Sequence, residues 1–127
     1  MSDTKNQHIK VNVDTTYIAS SSEPEAARYV FAYSITIKNI GDIEAQLVSR
    51  HWVITDSNGK VQEVHGEGVV GEQPHIQPGE SFEYTSGAVL ETSVGAMQGS
   101  YDMLDADGNK FKANIPTFSL SIPRTLH

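Results

Sequence analysis

Glycines and histidines around residues 65–75 are the part of this chain whose types and spacing invite a chemical reading. Gly66-x-Gly68-x-x-Gly71 has the spelling of a dinucleotide-binding loop. Such a loop works when a strand ends in the glycines and a helix begins there, so that helix N-terminal amides meet a pyrophosphate. A strand before these glycines is expected. A helix after them is not, because Pro74 and Pro78 occupy the space where it would run. Glu67 and Glu72 also place negative charge beside the glycines. The expectation is therefore a glycine-rich connection crossing between sheets, where glycine supplies positive φ or close packing. A nest of backbone amides binds an anion without a helix, so Gly66, Gly68 and Gly71 stand as candidate pyrophosphate-binding residues.

The histidines, His8, His51, His65, His75 and His127, are scattered. In an extended segment His65 and Glu67 share a face, and His75 can fold back toward them. That trio has the chemistry to hold a divalent metal such as magnesium or cobalt. The competing expectation is solvated loop histidines, since three ligands drawn from loops need outer support. Asp105, Asp107 and Asn109 start like a calcium loop but lack the ligand series that ends in Glu, so a hairpin turn is expected there. There is no Gly-x-Ser-x-Gly elbow, and Ser100 reads as a strand position. Carboxylates pair only in turns or on the surface, so acid–base catalysis has no handle. No catalytic residue and no cofactor are expected, and the chain reads as a non-enzyme.

Composition narrows the partners. The 127 residues suit one domain spanning 1–127, with an ordered core over about 9–122. The formal net charge of −7 argues against broad nucleic-acid binding and against an anionic membrane surface. Zero cysteines remove disulfides, thiolate nucleophiles and zinc–thiolate sites. The N-terminal stretch is polar and no apolar run is long enough to span a bilayer, so the expected location is cytoplasmic.

The elements that must position these residues are strands. Ile9, Val11 and Val13 alternate with polar residues, and strand chemistry continues through Ile18. Glu25 to Arg28 allows one helical turn. From Tyr29 to Asn39 the residues Tyr29, Phe31, Tyr33, Ile35 and Ile37 fall on one face. Ala45 to Thr55 is a second long strand, with Val48, Trp52 and Ile54 on one face and Leu47, His51 and Val53 on the other. Asp56 to Gly59 signals a hairpin returning over Lys60 to Val64. Pro78-Gly79 fits the middle of a type II turn leading into Ser81 to Thr85. Met97 to Leu104, with Met97, Tyr101 and Met103 in phase, turns at Asp105 to Gly108 into Phe111 to Ile115. Phe118 to Ile122 forms a last edge segment after Pro116. Trp52 reads as a core aromatic, or as an interface anchor if it faces outward. Seven or eight short strands without a three-turn helix indicate an all-β, antiparallel β-sandwich.

Arg50 to Gly59, Glu67 to Pro74, Pro78 to Gly87, Gly95 to Met103 and Ile115-Pro116-x-Phe118 together closely resemble the bacterial ApaG proteins. The resemblance runs from about Ile9 to His127. It implies an immunoglobulin-like or fibronectin type III-like β-sandwich and supplies no enzyme activity. It links the chain with cobalt resistance and magnesium efflux, and with a protein-binding role of the kind inferred for similar domains in larger eukaryotic proteins. In the family the glycine motif has been suggested to bind pyrophosphate, which corresponds here to Gly66, Gly68 and Gly71.

Overall fold

The computed structural model describes residues 8–123. The polar N-terminal stretch and the segment from Arg124 to His127, both included in the reading above, lie outside the described residues.

Eight strands form: β1 (Ile9–Tyr17), β2 (Tyr29–Asn39), β3 (Ala45–Asp56), β4 (Val61–Glu67), β5 (His75–Ile76), β6 (Ser81–Leu90), β7 (Val94–Asp105) and β8 (Lys110–Ser121). The helical segments among the described residues are two 3₁₀ turns, Ala19–Ser21 and Pro24–Ala26. None is long and apolar enough to cross a membrane. One sheet has the order β1-β2-β6. The other has the order β4-β3-β7-β8, with the short β5 also pairing with β3. Every pairing is antiparallel. This is the antiparallel β-sandwich the strand pattern predicts, of the fibronectin type III-like kind that the family resemblance implies.

The core follows from alternation. Phe31, Tyr33, Ile35 and Ile37 of β2 are buried, and they meet Trp52 of β3, Met97, Tyr101 and Met103 of β7, and Leu120 of β8. Aromatic rings make the centre, with Tyr33 5.4 Å from Trp52 and Phe118 5.9 Å from Trp52, both near edge-to-face. Trp52 is thus a core residue, not an outward anchor. The hydroxyls of Tyr84 on β6 and Tyr101 on β7 lie 2.6 Å apart and join the two sheets through the core. Burial pushes both phenols well above the ordinary tyrosine range, so the pair stays neutral.

Three local features differ from the sequence expectation. Leu47 shares the core face with Trp52 and Ile54 instead of opposing it, and is fully buried. The register shifts between Leu47 and Ser49, so Val48 is an extra residue in β3 that reverses the side-chain phase. Phe111 to Ile122 reads as two segments but is essentially one strand, β8, which absorbs Pro116 and Thr117 as a bulge opposite Gln98. Finally, the glycine-rich connection does not cross between sheets. It links β4 to β5, both on the same flank of β3, and the crossing comes later, at Gln77–Glu80, where Gly79 has φ +84°.

Candidate functional site

A two-sheet sandwich has two side seams. On one side β1 packs beside β8. On the other, β4 and β6 are the sheet edges, and the connection from Gly68 to Pro74 lies over the gap. Val69, only 1% exposed, plugs this seam from the loop.

Arg50 fastens that loop. It lies on β3 directly opposite Gly66 on β4, in phase with Trp52. Its Nη1 donates to the Gly68 carbonyl at 2.8 Å and to the Glu67 carbonyl at 3.2 Å. A β-carbon at residue 66 would lie 2.7 Å from the guanidinium, so the first glycine makes room for the arginine. The second, Gly68, has φ +65°, and a β-carbon there would lie 2.2 Å from the Glu72 backbone oxygen. The third, Gly71, has φ +81° with open space around it.

Three of the loop's amides already have acceptors. Gly68 donates to Val48 O, Val69 to Glu72 O, and Glu72 back to Val69 O. The reciprocal Val69–Glu72 bonds enclose Val70 and Gly71, whose φ values are +45° and +81°. That is the signature of a type I′ turn, whose first central position ordinarily takes Asn, Asp or Gly. A β-branched residue there is strained. Val70 is also 54% exposed, so burial does not compensate the strain.

Behind the loop is a cavity of about 320 Å³ lined by Tyr33, Arg50, Trp52, Tyr84, Ser86 and the loop from Glu67 to Gly71. Trp52 is almost completely buried, and its Nε1 has no hydrogen-bond partner. Arg50, Trp52 and three hydroxyl-bearing residues, Tyr33, Tyr84 and Ser86, therefore border one small cavity. Two larger concavities lie elsewhere. One of about 940 Å³ is bordered by Tyr17, Val94 and Ile122, and one of about 450 Å³ by Asp102, Phe111 and Lys112.

The candidate metal residues separate in space. His65 is on β4 opposite His51, and their rings stack at 4.1 Å. His75 is on β5, where its Nδ1 lies 2.7 Å from the Glu44 carboxylate. The hydrogen bond from His75, then that from Gln77, holds the Glu44 carboxyl below the ordinary range. Among the described residues the group whose ligand atoms converge is His51, Glu63 and His65, and not the candidate trio His65, Glu67 and His75. Asp105 is the buried acceptor of a hairpin turn, receiving the amides of Asp107 and Asn109 at its Oδ1. Sequence reading missed Arg50, Glu63 and His51. The signal for His51 was present: the Asp56–Gly59 hairpin fixes the register that puts it across from His65.

These features describe a fibronectin type III-like domain with a loop-covered, polar side seam. A family model described as the ApaG domain matches residues 19–105. Protein ApaG of Thiobacillus denitrificans is 61% identical over 127 residues, covering 100% of both chains. An X-ray structure from the Northeast Structural Genomics Consortium superposes with a TM-score of 0.90 at 49% identity, covering 96% of this chain and 92% of that one. A crystal structure of a Bordetella pertussis protein, described as ApaA, has a TM-score of 0.90 at 48% identity, covering 92% of this chain and 95% of that one. The chain belongs to the ApaG family.

The three glycines have unequal structural duties, and substitution separates them. Gly68→Ala is expected to destabilise most, because a left-handed φ and a backbone clash coincide. Gly71→Ala costs about 1–2 kcal/mol from φ alone. Gly66→Ala displaces the guanidinium and loses its hydrogen bonds, about 1–3 kcal/mol, and most of that loss disappears in an Arg50→Ala background. Urea unfolding of the single and double variants checks the order.

Proposed function

We propose that this chain is a non-enzymatic, cytoplasmic protein-binding module whose contact surface is the Val70 turn together with the adjoining edge of β4. Val70 carries the reading. A β-branched residue held left-handed costs about 1–3 kcal/mol, and such strain concentrates where function requires it. Here the strain presents an apolar side chain to solvent, with no gain in packing. The neighbouring edge suits strand addition. Asp56 donates to Lys60 O and Gly68 donates to Val48 O, so the even-numbered residues of β4 face β3. Residues 61, 63 and 65 therefore turn their N–H and C=O groups outward, while the Glu67 carbonyl is taken by Arg50, and no proline or lysine blunts the edge. Glu63, Glu67 and Glu72 make this region acidic, which favours a partner with a basic patch. The role we assign to this surface is one in divalent-cation homeostasis, exerted by contact with another protein, and the family resemblance supports that reading.

Val70→Asn tests this directly, because it is expected to raise stability and lower binding together. Stability should rise by about 1 kcal/mol as the turn takes its preferred residue. Proteins recovered with the wild-type chain from a cell lysate should be depleted with the variant. Recovery unchanged by Val70→Asn would remove the turn from the contact surface.

A second reading is favoured by the Arg50 guanidinium in a cavity that Trp52 also lines: the cavity behind the glycine loop takes a small anion such as pyrophosphate. Trp52 is the chain's one tryptophan, so its indole N–H gives a single resolved NMR cross-peak. Titrating pyrophosphate should move that peak saturably in the wild type and leave it still in Arg50→Met. A peak that stays fixed in the wild type at millimolar pyrophosphate discards the anion reading and leaves the protein-binding one standing.

A further inference from the structure

We propose that His51, Glu63 and His65 form a binding site for one divalent transition-metal ion on the outer face of the five-strand sheet. The site is independent of the Val70 turn and of the cavity.

The backbone assembles it. His51 and His65 are direct cross-strand partners in the β3–β4 hairpin. The hydrogen-bonding parity above makes theirs a non-hydrogen-bonded pair, in which side chains approach most closely. Their rings are parallel to within 8° at a centroid separation of 4.1 Å. Glu63 is two residues before His65, so the pleat puts it on the same face. Its Oε1 lies 2.8 Å from His51 Nε2 and 3.9 Å from His65 Nε2. One atom from each of the three side chains lies within 4.8 Å of the others.

An ion with nitrogen and oxygen ligands at about 2.0–2.2 Å holds those atoms about 3–3.5 Å apart. Closing the observed spacing to that range needs side-chain movements on the order of 1 Å, together with a rotation of the stacked rings that turns their in-plane lone pairs onto one point. Glu63 and His65 have side chains 58% and 71% exposed, so rotamer adjustment suffices and the strands stay in place. The donor set selects the metal. Two imidazoles and one carboxylate suit zinc, cobalt(II), nickel or copper(II), whereas magnesium prefers oxygen ligands and its own water. Three protein ligands leave the remaining coordination positions to solvent.

The experiment is calorimetric titration of the full chain with zinc chloride and, separately, cobalt(II) chloride, in magnesium-containing buffer. One ion per chain should bind at micromolar concentration despite millimolar magnesium. His65→Ala, and separately Glu63→Gln, should weaken binding by about tenfold or more. His75→Ala should leave it unchanged. Thermal unfolding of each metal-free variant confirms that the sheet is intact. Absence of zinc and cobalt binding up to millimolar concentration overturns the proposal. So does binding that His65→Ala and Glu63→Gln leave unaltered, since the ion then sits on other side chains.

Discussion

The fold leaves a gap between the edges of β4 and β6, and one guanidinium holds the cover over it. Arg50 reaches from β3 across a glycine to two consecutive carbonyls at the end of β4. It thereby fixes where the strand stops and the loop begins. With those carbonyls held, Gly68 turns left-handed, Val69 points into the seam and the Val70-Gly71 turn is carried out to the surface. The motif that spells a nucleotide loop is, in geometric terms, an arginine cradle followed by a tight turn. Both bonds leave one nitrogen, Nη1, so the two carbonyls are gathered on a single corner of the guanidinium.

That arrangement explains why the chemistry around the glycines is mixed. Glu67 and Glu72 surround the loop with negative charge, while Arg50 and Trp52 border the cavity behind it. The outside of the loop and its inside therefore suit different ligands. Strain at Val70 belongs to the outside. The histidine pair belongs to neither, since it stands on the solvent face of the sheet and depends only on the hairpin register.

Much of the fold was legible because its signals are local. Alternation in Tyr29 to Asn39 matches β2 residue for residue, and Asp56 to Gly59 and Asp105 to Gly108 turn where Asx chemistry and glycine dictate. Two of the three misreadings come from single inserted residues. Val48 as a bulge flips the phase of Leu47, and no residue type announces a bulge of that kind. Pro116 does announce one, but reads from sequence as the end of a strand. The site was less legible because its parts meet across strands. Arg50 looks like an ordinary strand residue until Gly66 is placed opposite, and His75 is separated from His65 by its pairing to a different stretch of β3.

The pinning of the loop by Arg50 is most directly measured by amide hydrogen exchange, residue by residue, in the wild type and in Arg50→Met, which keeps the apolar stem and removes the fork. Faster exchange confined to the Gly68, Val69 and Glu72 amides, with Ile35 and Met103 as slow as before, is the result this account predicts. Unchanged protection at Gly68 and Val69 would contradict it, because the loop would then hold its place without the guanidinium.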